Sequence, residues 1–327
     1  MDGGANKKRN IISLVAMGII IVAVAAIIIK REWIYDFWRG LGYVPTIEMG
    51  RIREDLNLTD RGIFLFNASR PVLKDREEFN DTCRSEKDME LAVLGCYTKK
   101  TIFVYDVDND ELKGEREFTV AHELLHAAWA RMSDGERNEL SKDLEQVLKD
   151  NSSLSDEIKN YASDEQQEEL YVRAGTEVKA LSTKLENHYA RVFKDQDKIV
   201  DYYNSYTNVF RQLEDEMDAL AEQIKTINTV IEQKTEEFQT RLEQLNTGIV
   251  SFNSCAETAG CFSSQWQFNA RRNELITEKQ ALNDLKDEIN ELIDDYNVNV
   301  EKFNDTSLHR EKLVKIVNSN ETIEEIR

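Results

Sequence analysis

The segment Thr119-Val120-Ala121-His122-Glu123-Leu124-Leu125-His126-Ala127-Ala128-Trp129 holds two of the chain's four histidines, set four residues apart around a glutamate. Residues four apart lie one turn above each other on one face of a helix, so both imidazoles can reach a single metal ion. Glu123 falls between them, placed to take a proton from a water held by such an ion rather than to bind the ion. Alanine, leucine and tryptophan fill the other positions, and no Gly or Pro interrupts them, so the segment is expected to be helical. The chemistry these residues suit is metal-assisted hydrolysis.

With this spacing the chain resembles the zinc metallopeptidases, the zincins. The resemblance implies Zn2+ as cofactor and a peptide or protein as substrate. It also implies an α+β catalytic domain, a short sheet plus helices, whose edge strand lines the cleft and pairs with an extended substrate. Catalytic zinc usually has three protein ligands and an open position. The remaining histidines are His188 and His309, and neither follows at the metzincin spacing. Instead, the segment after Ser163 reads Glu168-Glu169-Leu170-Tyr171-Val172-Arg173-Ala174-Gly175-Thr176-Glu177-Val178. It is similar to the gluzincin branch, whose third ligand is a glutamate on a later helix. On that resemblance the ligand is Glu169, although Glu168 replaces the customary Asn and Val172 the usual polar residue. Periodicity points elsewhere: Leu170, Ala174 and Leu181 form an apolar stripe with Glu177 on its edge and Glu169 turned away. A carboxylate beside a buried stripe needs a strong partner, which zinc would be. Glu169 therefore stands first and Glu177 as its alternative. The resemblance further implies His188, in Leu185-Glu186-Asn187-His188-Tyr189, as the donor to a tetrahedral oxyanion. Gly95 through Trp129, with Gly175-Thr176-Glu177, is also similar to uncharacterised membrane-anchored zinc peptidases of bacteria, which bring no substrate.

These residues sit in a chain of 327 residues and formal charge −20, which speaks against nucleic acid as a partner. The N-terminus is the exception: Lys7, Lys8, Arg9, Lys30 and Arg31 bracket an uncharged run of 19 residues, Ile11 to Ile29. As a helix that run spans about 28 Å, the thickness of a bilayer's hydrocarbon core. Ala23-Val24-Ala25 offers a signal-peptide cleavage site, but cutting there would fall inside the apolar run, so an uncleaved anchor is the expectation. The basic residues ahead of it favour a cytoplasmic N-terminus. Four cysteines form two local pairs, Cys83/Cys96 and Cys255/Cys261, which suits disulfides in an oxidising compartment. The expected organisation is a cytoplasmic tail at 1–10, an anchor at 11–29, a juxtamembrane linker at 30–50, the zincin-like domain at 51–200 and a helical hairpin at 201–327. Trp33, Tyr35 and Trp38 of the linker are expected at the membrane interface.

Within the zincin-like region, Gly62 to Phe66, Leu91 to Tyr97 and Thr101 to Tyr105 read as strands, the last two as a hairpin. Ser133-Asp134-Gly135-Glu136 and Ser163-Asp164-Glu165-Gln166 are capping-box sequences marking helix starts near 134 and 164. Asp106 to Asp110 invites a calcium reading, but Glu111 stands where a calcium loop needs Gly, so a polar turn is expected. Downstream, Leu213, Met217, Leu220, Ile224, Ile227, Ile231 and Phe238 follow heptad spacing. So do Leu275, Leu282, Leu285, Ile289, Leu292, Tyr296 and Phe303. Gly248, Gly260, both late cysteines and several aromatics separate the two runs. An antiparallel coiled-coil hairpin with arms on the order of 50 Å and a disulfide-stapled tip at 248–266 is the expectation. Phe252, Phe262, Trp266 and Phe268 could close that tip or receive a cell-envelope protein partner. Taken together, the residues predict a membrane-anchored, extracytoplasmic zinc metallopeptidase. A non-enzymatic envelope scaffold, acting through its hairpin and carrying a vestigial zincin domain, is the alternative.

Overall fold

A computed structural model describes Met17 and residues 31–83, 94–159, 161–163 and 165–319. Met17 apart, the tail at 1–10 and the anchor at 11–29 lie outside the described residues. Among the described residues no helix is long and apolar enough to cross a membrane. The chain divides into two units, residues 1–209 with 314–327, and residues 210–313. The hairpin unit is thus narrower than the 201–327 that the heptads suggest.

The segment expected as a linker is folded. It forms helix α1 (Arg31–Leu41) and helix α2 (Ile47–Asp55), the second capped by Thr46, whose side chain accepts from the Met49 N–H. Helix α3 (Asp60–Ser69) occupies 62–66, where a strand was expected. Thr59 caps it by accepting from the Gly62 N–H at 3.0 Å, and Leu65, Phe66 and Ala68 enter the core. A short apolar run fits a buried strand and a buried helix equally well, and here the cap decides.

Strand β1 (Val72–Lys74) is followed by helix α4 (Arg76–Thr82), strand β2 (Gly95–Thr98) and strand β3 (Thr101–Tyr105). The sheet order is β1-β3-β2, with β1 parallel and β2 antiparallel to β3, and Cys96 lies opposite Phe103. The expected hairpin is therefore present and leaves β2 on an edge. Its turn residues, Lys99 and Lys100, both take left-handed backbone (φ 50° and 61°), the geometry that Asn-Gly adopts without strain. Side chains bearing a Cβ meet a cost there of about 1–2 kcal/mol each. Arg39 fastens the turn by donating to Lys100 O and Thr101 Oγ1, both at 3.0 Å. Cys83–Cys96 joins the end of α4 to β2 as a disulfide. The Asp106–Asp110 segment is a polar turn, where Arg116 reaches Asp106 at 2.6 Å and Asp108 at 3.4 Å.

A 3-10 turn (Asp110–Leu112) leads into helix α5 (Glu115–Trp129), which carries the histidine motif. It is the centre of the first unit: Val120, Ala121, Leu124, Leu125 and Ala127 are wholly excluded from solvent. Helix α6 (Asp134–Asp150) starts at the first expected capping box, with both reciprocal bonds between Ser133 and Glu136. Helix α7 (Ser152–Ile158) and helix α8 (Gln166–Glu177) follow. The second capping box does not form; α8 begins behind Glu165, which makes no side-chain cap bond. Helix α9 (Thr183–Tyr189) then packs beneath α8. Gly175 makes that packing possible, because a Cβ there would stand 2.5 Å from both Leu125 Cδ1 and Tyr189 Cε1.

Helix α10 (Gln196–Glu257, 62 residues) and helix α11 (Gln265–Val317, 53 residues) carry the two heptad runs. At about 1.5 Å per residue the part of α10 in the second unit, 210–257, spans roughly 72 Å, more than the 50 Å expected. Within the second unit, Lys234 pairs with Glu288 at 2.8 Å and Arg241 with Glu278 at 2.9 Å, an antiparallel register. Every apolar position of the two runs is buried or half-buried. Lys234, which interrupts the apolar seam, is held there by its ion pair. Cys255–Cys261 staples the tip, whose non-helical part is only 258–264. Phe252, Phe262 and Phe268 pack on one another with ring centroids 5.0–5.4 Å apart, while Trp266 is 78% exposed.

Candidate metal centre

His122 and His126 stand one turn apart on α5, with ring centroids 5.1 Å apart. The first turns of α8 face them. Glu169 places Oε1 3.2 Å from His126 Nε2 and Oε2 4.0 Å from His122 Nε2. Among the described residues these three form the group able to hold a metal ion, with one ligand atom from each lying within 4.8 Å of the others. The donors, two imidazole nitrogens and one carboxylate oxygen, are those of a catalytic zinc site that keeps a position open. Glu169 Oε2 is buried and makes no hydrogen bond in the protein, as a ligand atom facing a cation would be. The residues present fit the metal.

Glu168, the neighbour of Glu169, brings Oε1 to 2.8 Å from His126 Nδ1. This bond fixes the ring so that Nε2 faces Glu169, the support that ligating histidines commonly receive. Sequence reading placed Glu168 only as a departure from a familiar pattern; its adjacency to Glu169, one ring nitrogen further out, was the available signal. Glu177 does not join the imidazoles. It lies about two turns beyond Glu169 on the same helix, with Oε1 3.6 Å from Arg173 Nη1. Arg173 also stands 3.7 Å from Glu169 Oε2 and donates to Tyr161 at 3.3 Å. The periodicity that favoured Glu177 misleads because α8 has no single apolar stripe: Glu169 through Val172 and Ala174 through Thr176 are all buried. A helix enclosed on most sides puts acids inside wherever a partner waits.

His188 lies elsewhere. Its Nε2 is 3.1 Å from the hydroxyl of Tyr171, and the ring packs against Tyr171 and Tyr189. Tyr171 follows Glu169 by two residues and so projects about 200° around α8, away from the His122, His126 and Glu169 group. Burial, aided by Arg191 and Arg61, lowers the His188 pKa to about 4, so it is a neutral packing residue.

Beside the ligands is a cleft of about 230 Å³, lined by Gly95, Phe118, Glu123, Arg173, Tyr203 and Tyr206 among others. Glu123 is 5% exposed. Gly95 of the edge strand lies directly against it, since a Cβ at Gly95 would come 2.7 Å from Glu123 Cγ, Glu123 Oε1 and Thr119 Cγ2. Only glycine permits β2 this approach. Phe118 stacks between His122 and the aromatic pair, 5.7 Å from His122 and 5.1 Å from Tyr203. Tyr203 and Tyr206 were missed because the sequence assigned them to the hairpin. Their i, i+3 spacing at the head of a long helix was the trace they left.

Burial lowers the His122 pKa to about 3, so that ring is neutral. Burial would also lower His126, but its hydrogen bonds to Glu168 and Glu169 raise it well above the ordinary range. Burial would raise Glu169, yet the His126 hydrogen bond and the charges of His122, His126 and Arg173 bring it down to about 2. At neutral pH the metal-free site therefore holds one proton, on His126, where a metal would bind. Metal must displace it, so affinity should weaken as pH falls below the raised His126 pKa, by about tenfold per pH unit. Calorimetric titration with zinc near neutral pH, in buffers of different ionisation enthalpy, should register about one proton released per ion from this residue.

Comparison of the chain with family models, curated proteins and solved structures gives no match.

Proposed function

We propose that this protein is a zinc-dependent peptidase, with His122, His126 and Glu169 as ligands and Glu123 as general base. The observation that carries this reading is the convergence of two imidazoles and a carboxylate, from segments about 45 residues apart, beside a cleft that Glu123 also lines. Bound there, zinc would polarise the scissile carbonyl and lower the pKa of water toward about 7. Glu123 accepts a proton from the attacking water and passes it to the leaving amine as the peptide C–N bond breaks. Tyr206 lines the cleft together with His122 and Glu123, and its phenol is the candidate for the oxyanion-donor role expected of His188.

Two further features support a peptide as substrate. Edge strand β2 runs beside the cleft with a side that no strand among the described residues pairs, suited to adding an extended chain. The cleft is smaller than the roughly 300–1,000 Å³ that encloses a whole small ligand, and suits part of a longer chain. Both cysteine pairs are disulfides, which supports a place outside the cytoplasm, with residues 11–29 as the anchor.

The test is metal analysis of the purified full chain together with cleavage of a mixed peptide library. About one zinc per chain is expected. Chelation should abolish cleavage and added zinc should restore it. Cleavage that is indifferent to chelation would overturn the reading.

A further inference from the structure

Helix α1 carries an apolar surface that the protein's own core leaves uncovered. Among the described residues of the first unit, the exposed large apolar side chains fall between Trp33 and Ile47, Met17 and Ile63 excepted. Trp38 is 68% exposed and Val44 86%. Such concentration marks an interaction surface, whereas single exposed apolar residues need no explanation. Trp33 is ordered by stacking on Phe37 at 5.5 Å and on Phe64 of α3 at 6.3 Å.

The opposite side of α1 is fixed to the catalytic unit. Asp36 is 2% exposed and accepts two hydrogen bonds from Arg131, at 2.6 and 3.0 Å. Arg131 also donates to Ala127 O at 2.7 Å and to Tyr97 at 2.8 Å. Any surface that holds the aromatic side of α1 thus holds the end of α5, one turn beyond His126. A basic turn adjoins the patch: Lys100 Nζ lies 4.8 Å from the Tyr35 ring and pairs with Glu32 of α1, and Lys99 is exposed beside it. The hairpin keeps these two lysines despite a backbone that favours Asn-Gly.

We infer that α1 and the Lys99-Lys100 turn form a docking surface for a lipid bilayer, with α1 lying in the membrane interface. Three observations select a bilayer as the occupant. Tryptophan and tyrosine flanking aliphatic residues are the side chains that settle at the boundary of head groups and acyl chains. The uncharged run Ile11 to Ile29 ends two residues before α1, so the patch emerges beside whatever membrane that run enters. Lys99, exposed at the turn, gives an otherwise acidic chain a local attraction to anionic head groups. The surface stands on these features and not on the proposed catalysis.

The test separates the surface from the anchor. A specific protease site is inserted between Lys30 and Arg31, and the full chain is folded and reconstituted in vesicles of phosphatidylcholine and phosphatidylglycerol. It is then cleaved, and the vesicles are sedimented. The fragment beginning at Arg31 should stay with the vesicles. Trp33→Ser combined with Trp38→Ser and Leu41→Ser should weaken that retention by about tenfold or more, with unchanged circular dichroism and an intact Cys83–Cys96 bond. If the variant does not fold, acyl-brominated lipids decide the matter in the cleaved wild type: strong quenching of its tryptophan emission supports docking, and no quenching overturns it. Complete release of the wild-type fragment overturns it as well. So does lipid-free self-association that the triple variant abolishes, which would assign the patch to a second copy.

Discussion

Glu123→Gln is expected to lower kcat/KM for peptide cleavage by about 10²–10⁴-fold while zinc content stays unchanged. The amide keeps the size and hydrogen-bonding shape of the carboxylate but cannot accept the proton of the attacking water. Glu123 lies between the two ligand histidines yet outside the ligand group, so its loss should spare the metal. The variant should also fold, because a neutral amide replaces a carboxylate that is 5% exposed, removing a buried charge rather than adding one. Steady-state kinetics and metal analysis on the same preparation give both readouts. Equal cleavage by the two proteins would sink the catalytic role, whereas zinc loss would move Glu123 among the residues that hold the metal.

Glu169→Ala is expected to cost at least about a hundredfold in zinc affinity, close to 2.7 kcal/mol, because it deletes one of three ligands. Glu168→Ala should cost about 10–100-fold, since it leaves the ligands in place and frees only the His126 ring. Glu177→Ala should leave affinity nearly unchanged, because that carboxylate faces Arg173. This ranking discriminates sharply. If Glu177→Ala proved the most damaging, the ion would sit deeper in the cleft than the imidazoles and Glu169 place it. Competition titration with a chromophoric chelator measures all three.

The parts of this protein that were legible in its sequence are those set by short-range periodicity. His122 and His126 meet because four residues make one helical turn, and the hairpin follows from heptads that no proline breaks. The β2–β3 hairpin was readable for the same reason, through strand alternation on either side of Lys99-Lys100. What escaped depended on distant chain segments. Glu169 and Glu177 lie about 80° apart around α8, and only its docking against α5 decides between them. His188 attracted attention because histidines are few, yet its partner Tyr171 belongs to the far side of that helix. Tyr203 and Tyr206 reach the cleft from the head of a helix whose later turns form the coiled coil. The misread strand at 62–66 is a local exception: a short apolar run suits strand or helix alike, and the helix that forms is capped by Thr59.

The division of the chain also bears on how the protein assembles. The first unit is discontinuous: it takes residues 1–209 and then 314–327, with the whole hairpin inserted between. Its late segment is fastened by Asn80 donating to Ser319 O at 2.6 Å and by Arg76 donating to Lys315 O at 2.9 Å. Were residues 210–313 a flexible chain, bringing its ends together would cost about 4 kcal/mol in loop entropy. The antiparallel coiled coil removes most of that cost, because zippering from the stapled tip delivers both ends of the insert side by side. A rod of this kind is a closure device as well as an arm. On a ribosome, the discontinuous first unit cannot be completed until the last turns of the hairpin have emerged.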